Sequence, residues 1–326
     1  NLYMGLFFYF FALIGFWASL VFYNSYLPDI AHPEQQDFAS ARGFSMGYIG
    51  SVLLLIFNLS MVLQPDWYGI TGSPAESSMK AMKYSFVTVG FWWLIFSQYS
   101  FYHLPKGNSL GKVNRKIIMN GFLELKSVWI QLDDFPILKK FLPAFFVYST
   151  AIQTVVLIAT YFGEEEIVWT SSQEKTVGLI VSILLIQIVA IFGAYGTARA
   201  AKQYGNITTL IGVNCIWATL CVFAFFIRTP LEFYFAAAGV GLVMGGIQSL
   251  SRSTYSKLIP KTKDTTSYFS FYDVTEKVGI IIGMAIFGTI DQITGNMRNS
   301  ILFFLILFIS GAILLTRIPN RFSKTD

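Results

Sequence analysis

Ionisable side chains inside apolar stretches are the first residues to weigh, because a charge in lipid is costly and marks an ion, proton or solute path. The segment Ser270-Phe-Tyr-Asp-Val-Thr-Glu-Lys277 carries three of them. Asp273 and Lys277 are four apart and can pair on one helical face, with Glu276 beside them. The pattern predicts a helix starting near Asp264, so the acids sit two to three turns inside it. That arrangement suits proton or ion coupling, or a charge-paired gate. The alternative is a static pair in the headgroup zone.

Two other stretches place polar groups where lipid offers no partner. Gly239-Val-Gly-Leu-Val-Met-Gly-Gly-Ile-Gln-Ser-Leu-Ser-Arg-Ser253 brings Gln248, Ser249, Ser251 and Arg252 to one end of a glycine-rich run. The glycines fit close helix packing. A buried amide needs a partner or a cavity, so Gln248 and Ser249 join the candidates for a substrate pathway. Arg252 joins Asp273, Glu276 and Lys277 as a coupling or gating residue. Tyr148, Ser149, Thr150, Gln153 and Thr154 give another run a polar face, which reads either as a solute path or as interhelical hydrogen bonding. Asn24 and Ser25, just before Pro28 and Asp29, read as helix termination and capping, with a gate contact as the alternative. Asn58 and Asn214 read as packing amides.

No phosphate-cradling glycine loop and no metalloprotease or other hydrolase signature occurs. Ser251 has no His neighbour, so nucleophilic catalysis has no support and no enzyme activity is expected. Two Cys, Cys215 and Cys221, and two distant His, His32 and His103, cannot form a metal-ligand cluster. Six apart, the cysteines point to different faces of a helix. No metal and no cofactor are expected.

The elements that position these residues are transmembrane helices. Of the 326 residues, 54% are apolar and only 13% charged, and mean hydropathy is +0.57. Lipid is the solvent that tolerates such a balance, and the Phe, Tyr and Trp excess fits lipid-facing surface. Nine runs are long enough to span: Tyr3 to Tyr23, Phe44 to Leu63, Tyr84 to Tyr102, Phe141 to Phe162, Val177 to Tyr195, Ile207 to Ile227, Leu231 to Leu250, Tyr268 to Ile290, and Ile301 to Leu315. With alternating loops, seventeen of the 23 Lys and Arg fall on one side and five on the other, and Lys277 lies within a run. The basic side is expected to be cytoplasmic. The net charge of +5 is therefore an orientation signal rather than a nucleic-acid signal.

The loop after the third run carries Lys106, Lys112, Arg115 and Lys116. Within it Ile117, Ile118, Leu125, Trp129 and Leu132 recur at helical spacing with Lys126 and Asp133 interleaved. This predicts an amphipathic helix at the membrane surface. The expected division is 1–105, the second part of an N-terminal bundle with three helices; 106–140, a cytoplasmic central loop; and 141–326, a C-terminal six-helix bundle. A common transporter plan joins two six-helix halves by a basic loop. Three runs before the loop, and a chain opening directly on an apolar run at Asn1, predict that three N-terminal helices of the same protein are missing. The nine runs are then the fourth to twelfth helices of a twelve-helix plan.

Several stretches resemble the vacuole-effluxer, autophagy-related branch of the major facilitator superfamily. They are Leu20-Val-Phe-Tyr-Asn-Ser-Tyr-Leu-Pro-Asp-Ile-Ala31, Gly43-Phe-Ser-Met-Gly-Tyr-Ile-Gly50, Gly121-Phe-Leu-Glu-Leu-Lys126 and Phe141-Leu-Pro-Ala-Phe-Phe-Val-Tyr148 with Gln153-Thr154. To these are added Gly245-Gly-Ile-Gln-Ser-Leu-Ser-Arg-Ser253 and Phe269-Ser-Phe-Tyr272 with Lys277. The resemblance implies an all-α polytopic membrane protein with a major facilitator-type helical bundle. The first, fourth, seventh and tenth helices would line its central path, and the last three correspond to the runs holding Ser19, Gln153 and Gly245. It implies a secondary transporter for a small polar solute, with amino acids suggested by the fungal members, working by alternating access in a bacterial cytoplasmic (inner) membrane. Its partners would be the small-molecule substrate, membrane lipids, and protons or another coupling ion. The competing reading is a non-transporting scaffold or sensor on a transporter fold. This chain has Thr150 and Ala151 where many members carry an acid. Gly196-Thr-Ala-Arg-Ala-Ala-Lys202 keeps the cations of a superfamily loop motif without its Asp.

Overall fold

The computed structural model describes residues 2–104, 117–262 and 264–320. Among them the chain is helical, with no strand. In order the helices are α1 Leu2–Ser25, α2 Leu27–Ile30, α3 Gln36–Leu63, α4 Pro74–His103, α5 Ile117–Gln131 and α6 Pro136–Glu165. They continue as α7 Ser172–Tyr204, α8 Asn206–Phe226, α9 Pro230–Leu258, α10 Thr265–Thr294 and α11 Met297–Leu315. Short 3-10 turns precede α4 and α6.

Each apolar run lies inside one of these helices. Among the described residues, eight helices are long and apolar enough to cross a membrane. The ninth expected span, Tyr84 to Tyr102, forms most of α4 but is not among the eight. Trp92, Trp93, Gln98, Tyr99 and several serines dilute its hydropathy, and Trp and Tyr are residues that suit a membrane interface.

Helix ends follow local chemistry. Thr229 and Glu232 form a reciprocal capping box around Pro230 at the start of α9. The Asp264 side chain accepts from Ser267 N at 3.1 Å and starts α10 where the sequence predicts. Gly205, with φ +88°, turns the chain sharply between α7 and α8.

Backbone contacts group the chain into two units, Asn1–Met46 with Ile118–Asp326, and Gly47–Ile117. The expected division at 105 and 140 follows topology and is a different partition. In the smaller unit, Met61, Ile70 and Ala81 pack together. There the Thr88 hydroxyl donates to Asn58 Oδ1 at 2.6 Å, which makes Asn58 a packing amide. In the larger unit Cys215 is exposed and Cys221 buried, on different faces of α8. Of the central-loop residues, Lys106, Lys112, Arg115 and Lys116 lie outside the described residues, as do Lys263, Arg321 and Lys324 near the other loop and the C-terminus. The amphipathic helix α5 is present. It buries Val128 and Leu132, while Trp129 stays 65% exposed. The Tyr268 hydroxyl ties the helix to α10 by donating to Gln131 Oε1 at 2.7 Å.

The frame of the larger unit is a small-residue seam between α7 and α9. A Cβ on Gly245 would collide with the Ala190 carbonyl oxygen, and one on Gly193 with that of Leu242. Backbones this close gain dispersion contacts that lipid cannot supply. A similar seam joins α6 to α10, where Gly279 and Gly283 rest on Thr150 and Thr154. At the other end of these helices Arg298 binds Glu166 Oε2 at 2.7 Å and the Phe225 carbonyl at 2.8 Å, stapling α11 to α6 and α8. We predict that Gly245→Ala lowers stability in detergent by about 1–3 kcal/mol, the usual cost of overpacking. Gly196→Ala, on the same pair of helices but facing open space, should leave the melting midpoint unchanged or slightly raised.

Candidate functional site

Within the larger unit, α1, α3, α6, α9 and α10 enclose a cavity of about 250 Å³. α1 contributes Trp17, Tyr23 and Asn24, and α3 contributes Phe44. α6 contributes Phe145, Tyr148, Ser149 and Gln153, α9 contributes Gln248, Ser251 and Arg252, and α10 contributes Tyr272, Asp273 and Glu276. The walls are largely aromatic, and the polar groups converge from four helices, α1, α6, α9 and α10. A wider, open hollow of about 430 Å³ lies at the other end of α6, near Trp169. There Lys175 and Glu164 already pair at 3.0 Å, and no further ionisable groups converge.

The polar α6 residues divide into two groups. Tyr148, Ser149 and Gln153 face the cavity. Thr150 and Thr154 instead bond back to their own helix at 2.7 Å and pack on the α10 glycines. The Tyr148 hydroxyl meets Ser251 Oγ at 2.7 Å, joining α6 to α9. The Phe145 ring stacks on Tyr272 at 4.1 Å.

The α10 charges form one cluster on the cavity wall. Gln153 Nε2 donates to Glu276 Oε1 at 2.7 Å, and Lys277 Nζ donates to the other Glu276 oxygen at 2.5 Å. Lys277 Nζ is 3.9 Å from Asp273 Oδ2 and 3.9 Å from the centre of the Trp17 ring. Two carboxylates share one ammonium here, and the Arg252 guanidinium lines the same cavity.

Arg252 is 3% exposed and bridges α9 to two other helices. Its Nε donates to Ser40 Oγ at 2.9 Å, Nη2 to the Ser40 carbonyl at 3.1 Å, and Nη1 to Asn24 Oδ1 at 3.1 Å. The guanidinium lies between the Tyr23 and Phe44 rings, 4.9 and 4.7 Å from their centres. Asn24 and Asp273 line the same cavity. One turn further along α9, Lys257 Nζ pairs with Asp37 Oδ2 at 2.6 Å. Asn206 Nδ2 donates to Asp37 Oδ1 at 2.9 Å and to Thr254 Oγ1 at 3.0 Å. Together these contacts latch the start of α3 to the ends of α9 and α8.

Of the residues singled out from the sequence, the structure brings Tyr148, Ser149, Gln153, Gln248, Arg252, Asp273 and Glu276 to one cavity. Lys277 touches it through Glu276. Ser249 is buried beside it: its carbonyl accepts from Ser40 Oγ at 2.7 Å, and its own hydroxyl bonds Gly246 O. Ser19 is not a lining residue, and its hydroxyl bonds Phe16 O of its own helix at 2.7 Å. The neighbouring turns of α1 line the cavity instead. Asn24, read from sequence as a cap, is a bridge. Asp37, Ser40, Asn206 and Lys257 carried no sequence signal beyond helix-end polarity.

The whole chain, residues 1–326, matches the sequence profile described as vacuole effluxer Atg22 like. The chain belongs to that family. It is 29% identical over 321 residues to the uncharacterized MFS-type transporter YxiO of Bacillus subtilis (strain 168), covering 98% of this chain and 72% of YxiO. It is 26% identical over 293 residues to autophagy-related protein 22 of Eremothecium gossypii, covering 84% of this chain and 54% of that protein. The chain thus spans about half the length of the fungal Atg22 relatives. Its fold is similar to that of the Escherichia coli fucose:proton symporter FucP, with a TM-score of 0.63 at 16% identity over 90% of this chain and 72% of that one. This Atg22-like chain therefore has a major facilitator fold and the apolar helices of a multi-pass membrane protein.

Breaking a buried ion pair by removing one partner is costly, while removing both is far less so. Lys257→Met should cost about 3–5 kcal/mol of detergent stability. Lys257→Met combined with Asp37→Leu should recover most of the loss. Equal losses in single and double variants would show that the pair is not coupled.

Proposed function

We propose that this protein is a secondary active carrier, not an enzyme, that moves a small polar solute through the α1–α3–α6–α9–α10 cavity by alternating access. The observation that carries the reading is the convergence of Gln153, Gln248, Asp273 and Glu276 on one aromatic-walled cavity in a chain of transporter fold. At about 250 Å³ it lies at the small end of ligand sites. Amino acids fit its chemistry. An ammonium group suits the Asp273 and Glu276 carboxylates, and a carboxylate suits the amide of Gln248 and the hydroxyls of Tyr148 and Ser251. Asp273 and Glu276 are the groups we assign to proton or ion coupling. The α3–α9 latch, built on Arg252 and Lys257, is the gate at the basic, cytoplasmic end of the helices. We place the protein in a bacterial cytoplasmic membrane, with α5 at its inner surface. The family description of a vacuole effluxer and the transporter names of the relatives support the reading.

The protein reconstituted in proteoliposomes should move one or more radiolabelled amino acids, faster with a pH gradient than without. Gln153→Ala and Gln248→Ala should each cut the flux at least tenfold while inserting normally. Unchanged flux in both variants would sink the site assignment. No gradient-driven flux of any tested solute would favour the scaffold or sensor reading.

A further inference from the structure

Among the described residues Arg252 is the one fully buried cation. Lys257, Lys277 and Arg298 also reach into the helices, and each is paired with a carboxylate, at 2.6, 2.5 and 2.7 Å. Arg252 has no such pair among the described residues. Its partners are the neutral oxygens of Ser40 and Asn24. A guanidinium carries five N–H donors, one on Nε and two on each terminal nitrogen. The three bonds take one donor from each nitrogen, so one N–H remains on Nη1 and one on Nη2. The charged head, and not only the stem, lies at the cavity. Tyr23 and Phe44, whose rings flank the guanidinium, line the cavity, as does Asn24, which accepts from it. Gln248, four residues earlier on the same face of α9, lines it too.

We propose that Arg252 is the carboxylate anchor of the cavity, and that the carboxylate of the solute is its missing counter-ion. A buried charge without a counter-ion is costly, and a ligand that brings one recovers that cost. One N–H on each terminal nitrogen is the planar fork that two carboxylate oxygens accept together. Ser40 and Asn24 hold the guanidinium in place while its two remaining donors take the solute. An amide or an amine of the same size fills the same space but does not supply the charge. The inference rests on the reading of the cavity as the solute site. It names the group the solute must carry and the residue that selects for it.

Equilibrium binding to the protein in lipid nanodiscs, measured calorimetrically, tests the anchor with L-valine, L-valinamide and isobutylamine. All three carry an ammonium group and a small apolar side chain that suits the aromatic walls, and only valine carries a carboxylate. Valine should bind the wild-type protein at least about tenfold more tightly than the other two, the scale of hydrogen bonds to a charged group. Arg252→Met should bring valine to within about twofold of valinamide and leave the valinamide affinity where it was. A merely structural Arg252 would weaken all three ligands together. Asn24→Asp keeps the shape of the side chain and its bond to Nη1 but supplies a counter-ion from the protein. It should cut the valine preference by about tenfold, and it decides the matter alone should Arg252→Met fail to fold. The proposal is overturned if the wild-type protein shows no preference for valine, if Arg252→Met weakens the three ligands equally, or if Asn24→Asp leaves the preference intact. Binding is read without flux, so an Arg252-dependent preference in a protein that moves no solute would uphold the anchor and retire the carrier reading. Flux without any such preference would do the reverse.

Discussion

A guanidinium buried among helices must find partners for its N–H groups, because a buried charge left without partners is costly. Arg252 meets that demand with partners from two other helices: Ser40 at the start of α3 and Asn24 at the end of α1. Two aromatic faces, Tyr23 and Phe44, cover its flat sides. This one desolvated charge therefore dictates where three helix ends meet. The cavity is the space left above that junction. Lys257, Asp37 and Asn206 repeat the principle one turn further on and bring α8 into the same knot.

The frame around the junction is held by close packing. Gly193, Gly241 and Gly245 let α7 and α9 touch backbone to backbone, and Gly279 with Gly283 makes room on α10 for the Thr150 and Thr154 side chains of α6. Small-residue seams hold helices together by shape, without spending polar groups. That leaves the polar side chains of α6, α9 and α10 available for the cavity. It also fixes α9 so that the reach of Arg252 toward α3 is set by one rigid element.

The charge cluster has its own logic. Glu276 is held by Gln153 and Lys277, and Lys277 is covered by Trp17. Asp273 has a weaker hold on Lys277, 3.9 Å away. The cluster is tied to α1 through Trp17, and Asn24 of the same helix holds Arg252. The family membership and the major facilitator fold say what kind of machine this is. These contacts show how the parts of this chain are wired.

Composition and run length alone determined that the chain is a bundle of membrane helices, since only lipid accepts so many apolar side chains in runs of this length. The same pattern placed one apolar run in each long helix, although α3, α4, α7 and α9 extend well beyond their runs, and Asp264 marked the start of α10. The acids of α10, the amides Gln153 and Gln248, and Arg252 stood out because each violates the apolar rule of its run. The family stretches were legible as well. Partners were not. Periodicity tells which residues share a face but not what the face meets, so Thr150 and Gln153 read alike until one met a glycine and the other a carboxylate. Asn24 looked like a cap because caps are local and bridges are not. Asp37 and Lys257, 220 residues apart in the chain, meet only because the seams bring their helices together. Which polar residues line the cavity, and which merely pack, was decided by tertiary structure, because only the folded chain sets which helix face meets another helix and which meets the cavity.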